Sequence, residues 1–310
     1  MIVKFGCNVD KKFLNKAKSG KEKFLIRLAQ SMKDLGVNVC DKKKSDVFIR
    51  LAGQKIDPNT KLNVLRLNGL WFNKEQPYKK RNKAIVNSIK KSDALIYQGE
   101  FCMKAYETFL EINGKLSDII PNGADPNCFD TRRTPSSNFF LALCKWRPHK
   151  RLKTIIDSFI LANEMGLDSD LIVIGTTDHI VKNDRIRYLG WQDNKKIVRL
   201  LSKAIASLHL TYLDWCPNAM IESIVANCPL IYTSSGGHSE LGRGMGISIQ
   251  DSEWDCKHAI QLYNPPLLDL SCVAKAMIEI KNNGYNMDDN VKFHIDSVAK
   301  KYIDFFERCL

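Results

Sequence analysis

The chain lacks any apolar run of the roughly 18–20 residues that a membrane-spanning helix requires, which excludes a helical integral membrane protein. It also lacks Cys-x-x-Cys pairs, its cysteines being scattered from Cys7 to Cys309. That spacing argues against structural zinc and for reduced cytosolic thiols, several of them expected in core strands. The histidines show no metal-ligand spacing. No repeat of fixed period and no low-complexity tract is present, which excludes a repeat architecture. The first residues, Met1-Ile-Val-Lys-Phe-Gly, have no signal-peptide h-region and read as a first β-strand, so a cytoplasmic location is expected.

Lysine, by contrast, is abundant. The net charge is +13, with clusters at Lys42-Lys-Lys44, Lys79-Lys-Arg81 and Lys90-Lys91, mostly in the first half. Such an excess suits a solvated basic surface, an anionic membrane surface or an anionic substrate. Nucleic acid is set aside, because the clusters are not interleaved with the aromatics that a base-stacking groove needs.

Short apolar strands alternate with amphipathic helices along the chain, the pattern of an α/β fold with parallel sheets. Strands are expected at 2–5, 37–39, 46–51, 62–67 and 94–97. A helix is expected over 21–35, where Phe24, Leu25, Leu28, Ala29 and Met32 recur at helical spacing. A strand and turn at 119–125 close this half, and the polar segment 128–138, broken by Pro135, reads as an interdomain linker. A second set follows, with strands at 139–144, 171–175, 186–189, 207–213, 230–233 and 247–249. Its helices are expected over 152–165, 195–204 and 218–226. Pro265-Pro266 interrupts the pattern before two terminal helices, 271–282 and about 291–309. The expected architecture is two Rossmann-like domains facing each other across a cleft, 1–130 and 131–285, with 286–310 crossing back to the first.

The most informative stretch is Asp214-Trp-Cys-Pro-Asn-Ala-Met-Ile-Glu222, followed by Ser235-Gly-Gly-His-Ser-Glu240. Two carboxylates flank seven residues across a strand-to-helix switch, with Pro217 in the first turn of the helix. A helix start presents free N–H groups and a positive dipole end, which suit a phosphate. Glu222 stands about one turn further in, where a carboxylate can accept hydrogen bonds from sugar hydroxyls. The bland alternatives are a capping Asp214 and a solvated Glu222. A second cluster, Lys145-Trp-Arg-Pro-His-Lys150-Arg151, lies between a strand and a helix and is either a solvated basic loop or an anion grip.

With these elements in order, the chain resembles the retaining glycosyltransferases of family 4, the "glycosyl transferases group 1" set with the GT-B fold. Their motif is a Glu, seven residues and a Glu, then a strand and a Gly-Gly-x-x-Glu loop. Asp214 stands in place of the first Glu, one methylene shorter. The resemblance implies that Glu222 holds the ribose hydroxyls of a nucleotide and that Asp214 meets hydroxyls of the donor sugar. The backbone around Cys216, Pro217, Asn218 and Ala219 would contact sugar or phosphate, and Gly236 and Gly237 would complete the donor site. Lys145 and Lys150 match two family cations that grip the donor diphosphate without a metal, with Arg147 and Arg151 alongside. Fixed cations there stabilise the charge that builds on a departing diphosphate.

Gly190-Trp191 matches a loop whose backbone lies beside the nucleobase, where Trp191 either stacks or packs. Thr211 stands where a small hydroxyl residue is usual at a strand end, in a binding or a structural role. Ser19-Gly20 is similar to a Gly-rich loop over the donor phosphates and acceptor, or is an ordinary helix start. Asn68-Gly69, within Leu65-Arg-Leu-Asn-Gly69, falls where many relatives carry a His that contacts the donor sugar. An Asn can bond hydroxyls there but carries no proton at neutral pH. Pro121-Asn122-Gly123 matches a turn that ends the first domain, and His238 either approaches the cleft or is structural.

The resemblance thus implies a metal-independent, retaining glycosyltransferase of hexosyltransferase type. Its donor would be a nucleotide-diphosphate sugar, and its acceptor a carbohydrate, glycolipid or glycoprotein. Peripheral contact with an anionic membrane through the basic N-terminal half is a further expectation, and no nucleic-acid partner is expected. The rival classes are a sugar-nucleotide epimerase or hydrolase on the same fold, and a non-catalytic nucleotide-sugar or membrane-surface binding protein.

Overall fold

Short runs of β-branched, leucine and aromatic residues form two separate parallel sheets in a computed structural model, which describes residues 1–10, 12, 19–40, 44–128 and 137–310. Lys42, Lys43 and most of the expected linker at 128–138 lie outside the described residues. The chain divides into two units. One comprises Met1–Asp125, Asp255–Ile260 and Lys292–Leu310, and the other Pro126–Trp254 and Gln261–Val291.

In the first unit the strands are β1 (Ile2–Phe5), β2 (Asn38–Val39), β3 (Ser45–Leu51), β4 (Thr60–Arg66), β5 (Ala94–Tyr97) and β6 (Leu116–Ile119). They pair in parallel in the order β2-β1-β3-β4-β5-β6. Its helices are α1 (Gly20–Asp34), α2 (Tyr78–Lys90), α3 (Glu100–Phe109) and the terminal helix Ile295–Cys309. The terminal helix buries Val298, Tyr302, Phe305 and Phe306 in one core with Phe24, Leu25, Leu28 and Met32 of α1. Ser31 Oγ donates to Asp296 Oδ1 (2.5 Å) across that contact. At its start, Ile295 N donates to Ala124 O (2.8 Å), and a Cβ on Gly123 would come within 3.0 Å of Ile295 Cα. The Pro121-Asn122-Gly123 turn therefore has to carry glycine for the terminal helix to pack. Helices α2 and α3 are absent from the sequence expectation. The buried face of α2 is Asn82, Ile85, Ser88 and Ile89, half of it polar, so its apolar stripe is too thin to read.

The second unit holds β7 (Phe139–Leu143), β8 (Asp170–Ile174), β9 (Ile186–Gly190), β10 (Ser207–His209), β11 (Leu230–Thr233) and β12 (Gly246–Ile249). The sheet order β12-β11-β10-β7-β8-β9 is doubly wound about β7 and β10. Every residue of β7 and of β11 is buried, as expected of parallel strands covered by helices on both faces. The covering helices are α4 (Leu152–Glu164), α5 (Asn194–Leu201), α6 (Asn218–Val225), α7 (His238–Gly242) and α8 (Leu270–Asn283). Ile155, Ile156 and Phe159 of α4 share a core with Val273 and Met277 of α8.

Two expectations are corrected. Strand β10 ends at His209 instead of 213, because the chain leaves the sheet and turns at Leu213, whose φ is +54°. No cysteine lies in a strand among the described residues. The buried ones are Cys102 in α3 and Cys216, Cys228 and Cys256 in loops, since a free cysteine behaves as a small hydrophobe wherever the chain buries it. Among the described residues, no helix is long and apolar enough to cross a membrane.

Candidate functional site

Open α/β sheets bind ligands outside the carboxyl ends of their strands, at the point where strand order reverses. In the second unit that reversal falls between β7 and β10, and the loops leaving there are 144–151 and 210–217. These carry the basic cluster and the first motif carboxylate. Tyr212 N donates to His149 O (2.8 Å), which ties one loop to the other.

Lys150 closes a 3-10 turn, Pro148–Lys150, and its Nζ pairs with Asp214 Oδ2 across the reversal. The second Asp214 oxygen accepts the Trp215 N–H (2.8 Å). Asp214 does not cap α6, whose N-cap is Pro217. The side chains of Lys150 and Asp214 keep 13% and 21% of their surface, enough for a ligand to reach them. Burial alone would raise the Asp214 carboxyl. The Lys150 charge and the two hydrogen bonds, joined in acid by His238 once it is protonated, outweigh it and hold Asp214 well below the ordinary carboxylate range. Burial likewise opposes the Lys150 ammonium, but the Asp214 charge holds it above its usual value. The resting site is thus a fixed cation–anion pair at neutral pH.

The structure separates the four cations of the loop. Lys145 and Arg147 are exposed. Arg151 is buried and committed internally. Its Nη1 and Nη2 donate to the two oxygens of Asp251 (2.7 and 2.9 Å), and Nη2 also donates to Pro266 O (2.8 Å). Asp251 Oδ2 further accepts Ser235 Oγ (2.7 Å), next to the Gly236-Gly237 turn. Arg151 and Asp251 therefore brace two loops of the site without facing solvent. Asp251 was missed by the sequence reading, and its signal was the first of the carboxylates that follow the apolar strand β12.

The Gly-Gly turn lies against the backbone of the Asp214 loop. Gly237 N donates to Asp214 O (2.8 Å), and a Cβ on Gly237 would sit 1.9 Å from Trp215 O. Gly236 adopts φ +64°. Any larger residue at 237 would push the two loops apart. Asn218 and Ala219 begin α6, half-buried, with Cys216 buried just before Pro217. Glu222 is half-buried on the same helix, one turn further in. Thr211 is buried, and its carbonyl accepts Thr233 Oγ1 (2.7 Å), which fits a structural post. Gly190 ends β9 at φ +62°, its carbonyl accepting Gly175 N (2.8 Å). Trp191 beyond it is 73% exposed and does not pack into the core. A cavity of about 570 Å³ opens beside the same basic turn, between Arg147, Lys153, Thr177 and Pro266. Asp214 and Glu222 do not line it.

Three buried histidines surround the site. His149 stacks on Tyr263 (centroids 5.4 Å apart) and is pushed down to about 3 by burial and by Lys150. His209, with Nε2 against Ser207 Oγ (2.9 Å) and Ser223 Oγ (3.3 Å), is also pushed by burial to about 3. Burial takes His238 to about 4 in spite of Asp214 nearby. All three are neutral at physiological pH. The sequence also contains an Asp-x-Asp triplet, Asp168-Ser169-Asp170, but it stands at the amino end of β8. There Asp168 pairs with Arg185 and Asp170 with Arg187. Among the described residues, no group of three His, Cys, Asp or Glu could hold a metal ion.

In the first unit Ser19 Oγ accepts Glu22 N (3.3 Å) as the N-cap of α1, so that hydroxyl is engaged in starting the helix with Gly20. Asn68 is half-buried at the carboxyl end of β4, and its Oδ1 accepts from Arg66 Nη1. Gly69 follows at φ +95°, with its carbonyl accepting Tyr106 Oη (2.8 Å).

No protein-family model and no curated protein sequence matches the chain. Solved structures do. A sucrose-phosphate synthase from Thermosynechococcus elongatus is similar with a TM-score of 0.71 at 12% identity, over 99% of this chain and 98% of that one. The HepE protein of Anabaena, in a complex with UDP, is similar with a TM-score of 0.65 at 13% identity, over 99% of both chains. The pneumococcal O-GlcNAc transferase GtfA, in complex with UDP and GlcNAc, is similar with a TM-score of 0.64 at 14% identity. That match covers 92% of this chain and 60% of that one. These likenesses establish the fold, the GT-B fold of glycosyltransferases.

Proposed function

We propose that the chain is a retaining glycosyltransferase of hexosyltransferase type, moving a sugar from a nucleotide-diphosphate sugar to an acceptor hydroxyl without a metal. The observation that carries this reading is the Lys150–Asp214 pair, held solvent-accessible across the strand-order reversal. The UDP and sugar complexes of structures with the same fold support the donor class.

In this reading Glu222 accepts the ribose hydroxyls, and the first turn of α6 offers N–H groups to phosphate or sugar. Lys150, with Lys145 and Arg147 beside it, faces the diphosphate. As the bond from C1 to the phosphate oxygen breaks, negative charge grows on the leaving group, and a cation already fixed in place stabilises it without reorganisation. Asp214 keeps Lys150 charged and oriented, and its exposed edge meets donor-sugar hydroxyls. The acceptor oxygen bonds to C1 on the face the diphosphate leaves, and its proton passes to the departing phosphate oxygen. Asn68 is suited to bonding hydroxyls and not to moving a proton. Acceptors of this chemistry are the hydroxyls of carbohydrates, glycolipids or glycoproteins.

The test begins with melting temperature in the presence of UDP-, GDP- and ADP-sugars, because ligand binding to the folded state raises it. One donor series is expected to stabilise the chain, and Glu222→Ala is expected to abolish the shift. With that donor, Lys150→Ala should lower kcat by about a hundredfold to a thousandfold, the cost of losing one preorganised group at developing charge. Unchanged binding and turnover in both variants would sink the reading. Donor consumed without acceptor, with free sugar or an epimer released, would replace it by a hydrolase or epimerase.

A further inference from the structure

Every charged side chain on the outward side of α2 is a cation, with Ala84 and Asn87 exposed between them. Lys79, Lys80, Arg81, Lys83 and Lys90 are exposed, Lys91 follows at its end, and no acid falls between Tyr78 and Lys91. Among the described residues none of these cations forms an ion pair. The helix uses its other face, Asn82, Ile85, Ser88 and Ile89, for its own core.

Beside it runs a cavity of about 400 Å³, with Lys79 and Lys83 of α2 on one side and Lys257 and His258 on the other. Tyr78 and Phe109 also line it, their ring centroids 6.1 Å apart. The segment Asp255–Ile260, which brings Lys257 there, is fastened to the first unit by Ile260 N donating to Phe72 O (2.9 Å) and Lys74 N donating to Ile260 O (2.8 Å). Next to the start of α2, Trp71 is 38% exposed under the Arg81 guanidinium (3.9 Å). Both its backbone groups are held by the Asn82 amide (2.9 and 2.7 Å).

Cations spread along a helix of about 20 Å do not converge on one small anion. They match a surface that presents phosphates over an area. Partly exposed Trp and Tyr beside them favour the headgroup level of a bilayer, where amphipathic rings concentrate, and each lysine near an anionic leaflet adds attraction. A base-stacking groove needs open ring faces, whereas Trp71 is covered by Arg81. We infer that the α2 face of the first unit, with the groove completed by Lys257 and His258, docks on an anionic phospholipid bilayer, the groove receiving a headgroup phosphate. The inference rests on the first unit alone and holds whatever reaction the second unit serves.

The test is sedimentation of the full chain with vesicles of phosphatidylcholine, or of phosphatidylcholine with about a third phosphatidylglycerol. Binding is expected only to the anionic vesicles, weakening as salt is raised. The triple variant Lys79→Ala, Lys83→Ala, Lys257→Ala should partition about a hundredfold more weakly, three charges at about 1 kcal/mol each. A control triple of equal charge change in the second unit, Lys195→Ala, Lys196→Ala, Lys203→Ala, should bind as the parent does. All six lysines are exposed, and unchanged melting temperatures establish that both variants fold. Equal binding to neutral vesicles, equal loss in the two triples, or no vesicle binding at all overturns the inference. So does tighter binding of a single-stranded oligonucleotide through the same three lysines, which would assign the face to nucleic acid.

Discussion

Each unit buries arginine beside its sheet, yet the two neutralise it differently. In the first unit Arg50 and Arg66 are each 1% exposed and donate only to neutral oxygens. Arg50 serves Gln54 O (2.9 Å), Ser88 O (2.6 Å) and Ser92 Oγ (2.7 Å). Arg66 serves Tyr302 Oη (2.8 Å), Asn68 Oδ1 and Asn122 Oδ1, with the Phe24 ring 4.2 Å from its guanidinium carbon. In the second unit Arg151 is matched by the full carboxylate of Asp251 and Lys150 by Asp214. Amides and hydroxyls satisfy the donors of the first unit without a counter-charge, while the second unit keeps paired charges that lock two loops. The same parallel architecture therefore holds buried arginine by neutral acceptors in one unit and by a carboxylate in the other.

The largest expected effect is on stability. Asp251→Ala leaves Arg151 buried and unpaired, which should cost about 3–5 kcal/mol in urea unfolding. Arg66→Met removes a cation from neutral partners and should cost about 1–3 kcal/mol, the penalty of unsatisfied acceptors. Equal losses would erase the contrast between the units.

Acid should separate them next. His149, His209 and His238 are buried neutral, with values pushed down from the ordinary 6.5 to about 3, 3 and 4. The unfolded chain then binds more protons than the folded one as pH falls below about 6.5, so stability drops with pH. Between pH 7 and 5 the loss should be up to about 2 kcal/mol per histidine, and His209→Asn should flatten that slope. The Lys150–Asp214 pair does not contribute in this window. The lowered Asp214 is lost only as pH falls below about 4, and the raised Lys150 only as it rises above about 10. The first unit's histidines, His258 and His294, are not buried, so a melting curve that loses both units together between pH 7 and 5 would contradict this assignment.

The smallest effect is expected where an ion pair stands in solvent. Lys153 and Asp157 pair at 2.5 Å on α4, but Lys153 keeps 71% of its surface. Lys153→Ala should change stability by no more than about 0.5 kcal/mol, a useful baseline for the buried pairs.

Where apolar residues fill a strand, as in β7 and β11, the element and its bounds could be read almost to the residue, because burial on both faces demands an unbroken apolar run. Helix α2 could not be read, since Asn82 and Ser88 hold its buried face by hydrogen bonds, to Trp71 and to Gly53, that only a folded chain supplies. Similarly, Asp214, Lys150 and Gly237 were visible as residues of a motif, but not their contacts with one another. Ser19 and Trp191 stood open between two readings, and the fold gave one a capping bond and left the other in solvent. Asn122 was read as a domain-end marker, and the structure makes it an acceptor for a buried arginine.

By itself the sequence determined two α/β halves and which charged residues stand at the reversal point, because strand length, turn residues and motif spacing are local properties of the chain. Tertiary structure alone decided which cation does what. Lys145, Arg147, Lys150 and Arg151 are near neighbours in sequence, and the 3-10 turn Pro148–Lys150 with the left-handed Arg151 after it (φ +54°) separates them. That turn sends Arg151 inward to Asp251 and leaves Lys150 on Asp214, contacts that span 100 and 64 residues of chain. Partner choice of that kind is set by distance and burial in the folded state, and no local pattern encodes it.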